Sequence, residues 1–357
     1  KSKSRFVKVE KIELLEKSEE TFCFTDPKRN LGTFNGVVTA NCGEILLREF
    51  GLCNLSEIVV RPHYTLEDMR ALAHQATMLG TIQSLLTNFR YVRDDWRRNA
   101  EEERLLGVSL TGLADHPILG IRSPQTVQWL TTMRLQTRET NNKYADLFGI
   151  NRSAAITTIK PSGTVSQLVD SASGVHRQFA PRYIRRIRGD MNDPTTKLLI
   201  DAGVPWEPDS AFGNNAVFSF VKRAPNQDRR TFRENESAVE FMEYVKMFGD
   251  YWTDHNPSVT VNVKDHEWLE VGAWVYKNLE SVCGMSFLPY DGGSYVQAPY
   301  EETDEASLIK IEAAMPKSID WSRLPSFGDG DEFVTATKEL ACVAGVCEVT
   351  SFGSSAA

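Results

Sequence analysis

One feature narrows the folds open to this chain: from Thr65 to Ala314 its hydrophobic period switches repeatedly between helix and strand. Thr65 stands where a helix cap belongs, with Asp68 three residues on, and Met69, Leu72, Met78, Leu79, Ile82, Leu85 and Leu86 follow at helical spacing. The same spacing predicts helices over Thr126 to Phe148, Thr195 to Ala202, Ser237 to Thr253, Glu267 to Leu279 and Thr303 to Ala314. Between them, Leu105 to Leu110, Ala154 to Ile159, Ala216 to Val221, Val259 to Val263 and Met285 to Pro289 read as short apolar strands. Strands separated by helices need crossover connections, which makes the fold a mostly parallel α/β sheet or barrel.

The 357 residues suffice for two or three units, and an apolar fraction of 41% provides for a large core. A net charge of -8 argues against a general polyanion-binding face, so no nucleic-acid partner is expected and any nucleotide sits in a local pocket. No run approaches the roughly 18 apolar residues of a membrane span. Lys1 to Lys8 also lacks the apolar centre of a signal peptide, and the reading is a cytoplasmic protein with no membrane partner. The first residue is Lys rather than Met, which reads as a truncation or a processed boundary. Six cysteines are too sparse for a disulfide scaffold, leaving catalytic, redox or inert roles.

Residues 5 to 41 read as short β-segments. Phe6, Val7, Val9, Ile12 and Leu14 lie in one extended run, Thr21 to Thr25 form another, and Asp26-Pro27 and Asn35-Gly36 supply turn chemistry. So small a piece needs a partner segment to bury a core. It ends at Asn41-Cys42. An Asn side-chain amide can attack its own backbone carbonyl, closing a succinimide and freeing the next residue's amine, and a Cys there can first take an acyl group on its sulfur. As a bare dipeptide the pair is ordinary. At the far end, from about Pro325, Gly328, Gly330, an acidic run and a Gly/Ser/Ala terminus read as a mobile tail.

The surroundings of Asn41 are more specific. Thr21-Phe22-Cys23-Phe24 and the run from Asn30 through Gly32, Phe34, Gly36 and Thr39 to Asn41 resemble the two C-terminal motifs of inteins. The resemblance implies that residues 1 to 41 are a small all-β Hedgehog/intein-type segment completed by an N-terminal intein portion. The C-terminal half of a split intein and the tail of a contiguous one both fit. The segment departs from the family pattern at Cys23, where Asp is usual, at Arg29, near a usual His, and at Ala40, where a penultimate His is common.

Downstream, three groups of residues follow in order. The first is Cys42-Gly43-Glu44 with Gly51-Leu52-Cys53-Asn54-Leu55-Ser56-Glu57. The second is Thr158-Ile159-Lys160-Pro161-Ser162-Gly163-Thr164-Val165-Ser166-Gln167, followed by Gly174-Val175-His176 and Tyr183 to Arg188. The third is Cys342-Val343-Ala344-Gly345-Val346-Cys347. Together they resemble ribonucleotide reductases, above all the monomeric class II enzymes that use adenosylcobalamin and act on ribonucleoside triphosphates.

That resemblance implies that residues 42 to 324 form the second half of the family's ten-stranded α/β barrel, with 325 to 357 a flexible tail carrying a redox dithiol. Cys42 would carry the thiyl radical that takes the ribose 3′ hydrogen, and Glu44 would accept the 3′-hydroxyl proton. Cys53 would be one member of the reducing dithiol, its partner lying upstream. Cys342 and Cys347 would shuttle electrons from thioredoxin or a similar dithiol reductant. The family places an Asn two residues before the radical Cys, where this chain has Ala40. Splicing would remove residues up to Asn41 and join Cys42 to the N-terminal portion of the reductase, so the unspliced chain is expected to be inactive.

Small residues after an apolar strand let successive N–H groups and hydroxyls face a phosphate, and in this setting Ser162, Gly163, Thr164 and Ser166 are assigned to substrate phosphate. An ordinary turn is the other reading of that loop, as a core thiol is of Cys53. Arg185, Arg186 and Arg188, along a predicted strand, suit either phosphate or a solvated basic edge. Zinc on Cys342 and Cys347 lacks further ligands nearby. Cys283 is read as structural, the six histidines as structural or solvated, and no metal is expected. Class I chains carry a Tyr-Tyr pair that is absent here. Three alternatives stand beside the class II reading: a class I-type ribonucleoside-diphosphate reductase large subunit, a splicing element as the main activity, and a phosphate-binding α/β domain with a disordered tail, which leaves the cysteine motifs unexplained.

Overall fold

The computed structural model describes residues 31–34, 37–40, 43–210, 213–224, 232–281, 284–290 and 296–327. Asn41, Cys42, Cys283, Cys342 and Cys347 lie outside them, as does most of the segment compared with inteins. What is described of that segment is β1 (Leu31–Phe34) and β2 (Val37–Ala40), which pair antiparallel with Leu31 opposite Ala40 and Phe34 opposite Val37.

The rest runs β3 (Asn54–Val59), α1 (Leu66–Gln83), α2 (Asp94–Glu103), β4 (Leu106–Thr111), α3 (Pro124–Phe148), α4 (Thr164–Leu168) and β5 (Arg182–Asp190). It continues with α5 (Pro194–Asp201), β6 (Trp206–Pro208), β7 (Asn215–Arg223), α6 (Ala238–Tyr251), β8 (Val259–Val263), α7 (Trp268–Lys277), β9 (Met285–Pro289), β10 (Tyr300–Glu302) and α8 (Glu305–Ala314). The helix starts are chemically marked. Thr65 and Asp68 form a reciprocal capping box on α1, Ser237 and Glu240 another on α6, and Ser123 caps α3 ahead of Pro124.

β3 and β4 pair in parallel, as do β8 and β9. Residues 156–159 join the two pairs. Val108 bridges Thr157 and Ile159 bridges Pro257, both in parallel sense, so five parallel segments form one wall in the order β3, β4, 156–159, β8, β9. Alternation gives that wall two unlike faces. Leu106, Val108, Leu110, Val259, Val261 and Val263 share a buried core with Met69 of α1, Leu130 and Met133 of α3, and Phe248 and Trp252 at the end of α6. Gly107, Ser109, Thr111, Ser258, Thr260 and Asn262 occupy the intervening positions, facing away from the helices. The helical layer holds the apolar face while the other face is left small and polar.

The expectation of a mostly parallel sheet needs an addition. A second sheet, ordered β10, β5, β7, β6, is antiparallel throughout, with Arg182 opposite Arg223 and Asp190 opposite Asn215. The predicted strand from Ala216 to Val221 lies in it rather than in the parallel wall. An apolar run marks a buried strand and carries no record of strand direction. At the other end, Trp321–Phe327 is a 3₁₀ segment, and Arg323 pairs with Asp201 at the end of α5 at 2.8 Å; the rest of the segment read as a tail, from 328 on, lies outside the described residues.

Candidate functional site

Cys53 immediately precedes β3, and Asn54 enters the sheet by donating its N–H to Leu105 O. The thiol points to the polar side of the wall. A Cβ placed on Gly107 of β4 would lie 3.3 Å from Cys53 Sγ, 3.0 Å from Ile45 Cδ1 and 2.4 Å from Leu55 Cδ2, so the thiol occupies space that only a glycine at 107 leaves open. Burial pushes the Cys53 thiol up to about 12, and the charge of Glu44 adds to the shift. The thiol is therefore protonated in neutral solution, suited to giving up a hydrogen rather than to attacking as a thiolate.

Glu44 and Cys53 are thus electrostatic neighbours, as their assignment to one site requires. The loop reaching Glu44 is held from the far side of the wall. Gly43 adopts φ +70°, a left-handed conformation natural to glycine. Asn256 donates its side-chain Nδ2 to Gly43 O and its backbone N–H to Glu44 O, both at 3.0 Å, and Thr158 Oγ1 lies 3.3 Å from Glu44 O. Asn256 carried no sequence signal beyond its place before Pro257.

Thr158 is also the start of the path to the loop assigned to phosphate. Ser162 follows four residues later, within about 14 Å of extended chain, a distance in the range between a ribose and its polyphosphate. In that loop the two serines turn inward. Ser162 is buried, its N–H donates to Ser173 Oγ at 2.8 Å, and its hydroxyl accepts the N–H of Ser166 at 3.2 Å. Ser166 is buried too, and its hydroxyl donates to Ser162 O. Gly163, by contrast, is partly exposed, as is the adjoining Val165.

The chain then returns between the strand ends. Gly112 N–H donates to Ala172 O at 2.8 Å, and His176 sits beside β8, its Nε2 accepting the Thr260 N–H at 3.1 Å while Nδ1 donates to Ser173 O at 3.1 Å. Burial lowers the imidazole to about 4, against the bond to Ser173 O, which acts to raise it. His116 and His255 are structural in the same sense. His116 Nδ1 accepts the N–H groups of Ile118 and Leu119, and His255 Nε2 donates to Leu106 O. Among the described residues no group of His, Cys, Asp and Glu is arranged to hold a metal ion.

The arginines of β5 take neither role foreseen for them. Arg185 donates to Pro299 O at 3.2 Å, Arg186 to Ala298 O at 3.0 Å and Arg188 to Gln297 O at 3.1 Å. Arg186 further pairs with Glu301 at 2.7 Å and Arg188 with the buried Asp209 at 3.0 Å. They fasten the segment leading into β10 to the antiparallel sheet.

No family model matches the chain. It is 26% identical over 340 residues, 87% of its length, to the adenosylcobalamin-dependent ribonucleoside-triphosphate reductase of Lactobacillus acidophilus, and 27% identical over 289 residues to the enzyme of that name from Lactobacillus helveticus. It covers 45% of the first and 39% of the second, so it spans less than half the length of these curated relatives. A crystal structure of a B12-dependent, class II ribonucleotide reductase superposes over 84% of this chain and 44% of its own, with a TM-score of 0.65 and 24% identity. The α/β fold is similar to that of a class II ribonucleotide reductase. Among the described residues no helix is long and apolar enough to cross a membrane.

Proposed function

We propose that this chain is the C-terminal portion of a ribonucleoside-triphosphate reductase, made active by joining to an N-terminal portion when residues 1–41 are spliced out. The observation that carries the reading is the Cys53 thiol set against Gly107 on the polar face of the parallel wall, held protonated by burial and by the nearby charge of Glu44. A strand segment links that site to the loop at Ser162. The order of these parts suits a nucleotide whose ribose lies at Glu44 and whose phosphates lie toward Gly163 and Thr164. Because Ser166 donates its hydroxyl to Ser162 O and Ser162 Oγ accepts the Ser166 N–H, the two serines shape the loop, and the exposed side of the turn is the face open to phosphate.

In this reading a sulfur radical on Cys42 takes the hydrogen from ribose C3′, and Glu44 accepts the 3′-hydroxyl proton. The C2′–O bond breaks and the 2′-hydroxyl leaves as water with a proton from the dithiol formed by Cys53 and its upstream partner. The dithiol gives its second hydrogen to C2′ and closes a disulfide, Glu44 returns its proton to the 3′ oxygen, and Cys42 returns its hydrogen to C3′. The sum is ribonucleotide plus two thiols giving deoxyribonucleotide, water and a disulfide. A thiol that stays protonated is the form this balance needs. Cys342 and Cys347 would then exchange with the new disulfide and pass it to thioredoxin or a similar reductant.

The relatives are named for adenosylcobalamin, which when bound supplies the initiating radical. The cavity lined by His176, Arg177, Glu236 and Thr260 has a volume of about 30 Å³, room for a water or two, and does not fit a corrinoid. We assign the cofactor to the part of the relatives' length that this chain does not span.

The test is turnover of ribonucleoside triphosphates by the joined protein. Cys42→Ser is expected to abolish product, and Glu44→Gln to lower kcat by about 10²-fold or more. Unchanged turnover by Cys42→Ser would overturn the reading.

A further inference from the structure

Resting on that reading, we propose that Asn256 is a positioning residue for the reaction: it holds the backbone of Gly43 and Glu44 so that the Glu44 side chain faces the substrate. Further along, the loop is held by Arg48 on Glu102 and Glu103 and by Asn99 on Glu49 O; at its start it is Asn256 that bonds the main chain. Gly43 stands in a left-handed conformation with no strand partner, and the carbonyls of Gly43 and Glu44 both point to Asn256. Thr158 Oγ1 lies near Glu44 O at 3.3 Å but is closer to Asn256 O, at 2.9 Å, and one hydroxyl has one proton to give. Glu44 O therefore depends on the Asn256 N–H, and Gly43 O on the Asn256 side chain.

A clamp positions only if it is itself rigid, and Asn256 is. The N–H groups of Asp254 and His255 both donate to Thr157 O at 3.0 Å, His255 Nε2 reaches Leu106 O at 2.9 Å, and Trp252 Nε1 donates to Thr158 O at 3.0 Å. Asp254 is in turn bonded to Arg134 and Arg138 of α3, both at 2.6 Å. Pro257 confines Asn256 to extended backbone. The position of the loop is thus set by the turn after α6 and by α3, two elements that contribute no reacting group. The bonds go to main-chain carbonyls, so they aim the side chain of Glu44 without altering its chemistry.

Asn256→Asp keeps the volume and the backbone N–H but places an acceptor against Gly43 O; Asn256→Ala removes the bond to Gly43 O and keeps the N–H to Glu44 O. In this chain as it stands, hydrogen exchange of a peptide spanning residues 43–52 is expected to quicken by up to about tenfold in both variants, the worth of one hydrogen bond. Exchange in α3 and β7 should stay as in the parent. In the joined protein, kcat should fall by roughly 10- to 100-fold, as for a misplacement of about 1 Å, while KM for the nucleotide changes by less than about threefold. Unchanged exchange at 43–52 overturns the clamp. Faster exchange with an unchanged kcat, or a rise in KM that accounts for the loss, overturns its role in the chemistry. A parent that turns over no nucleotide overturns the reductase reading instead, and the exchange measurement still decides whether Asn256 holds the loop.

Discussion

His176 shows how a titratable residue can be fixed by what it touches. Its Nδ1 donates to Ser173 O, its Nε2 accepts from Thr260, and burial holds it at about 4, so it is neutral in the folded protein wherever its free counterpart begins to charge. The unfolded chain binds a proton at this residue below about 6.5 and the folded chain does not until about 4. Its contribution to stability is therefore complete above pH 6.5 and is lost progressively as pH falls toward 4, by up to about 3 kcal/mol. Urea unfolding at pH 7 and pH 4.5 should show a steeper loss for the parent than for His176→Gln; equal slopes would place the acid sensitivity elsewhere. The motif Gly174-Val175-His176 was visible in the sequence, but not its use as a substitute strand partner for Thr260, which exists only once the chain folds back between β4 and β8.

Elements differ in what holds them to one another, and two ion pairs of the antiparallel sheet make the contrast measurable. Asp209 is buried and its partner Arg188 of β5 is only 15% exposed, whereas Arg223 of β7 meets Glu312 of α8 with both side chains about two-fifths exposed. Removing one member of a buried pair leaves a charge without its counter-ion and costs about 3 kcal/mol or more, while an exposed pair is worth under about 1 kcal/mol. Arg188→Met should accordingly lower the urea midpoint far more than Arg223→Met, and equal effects would mean that the sheet is held by its strand bonds alone. Sequence period located the strands best where one face is buried: Val259–Val263 and Met285–Pro289 fall where the apolar runs put them, and α6 follows its cap at Ser237. It missed β3, where Asn54, Ser56 and Glu57 dilute the apolar signal although Ser56 turns to α1 and donates to Ala76 O, and α2, whose charged sequence buries only Ala100. Arg185 to Arg188 looked like a binding surface because sequence shows charge without its partners.

For the whole molecule, the parallel wall poses a question that the described residues leave to another segment. Parallel sheets are stable with both faces covered; here the helices cover one, the chain from Ala172 to His176 packs on the other, where Ser109, Thr111, Ser258 and Thr260 are buried, and β3 and β9 stand at the two edges among the described residues. We expect the N-terminal portion of the proposed reductase to extend the wall at an edge, which makes joining a condition for activity. β2 ends at Ala40, one residue before Asn41, so the proposed cut falls directly after a paired strand. Mixing this chain with an N-terminal partner that carries the complementary intein portion should yield, by mass, one ligated product that begins its C-terminal part at Cys42 and has lost residues 1–41. Asn41→Ala should stop the release of that segment, and nucleotide turnover should follow the ligated mass rather than the mixed one. If Asn41→Ala ligates as well as the parent, residues 1–41 are not a splicing element, and the dependence of the reductase on excision fails with it.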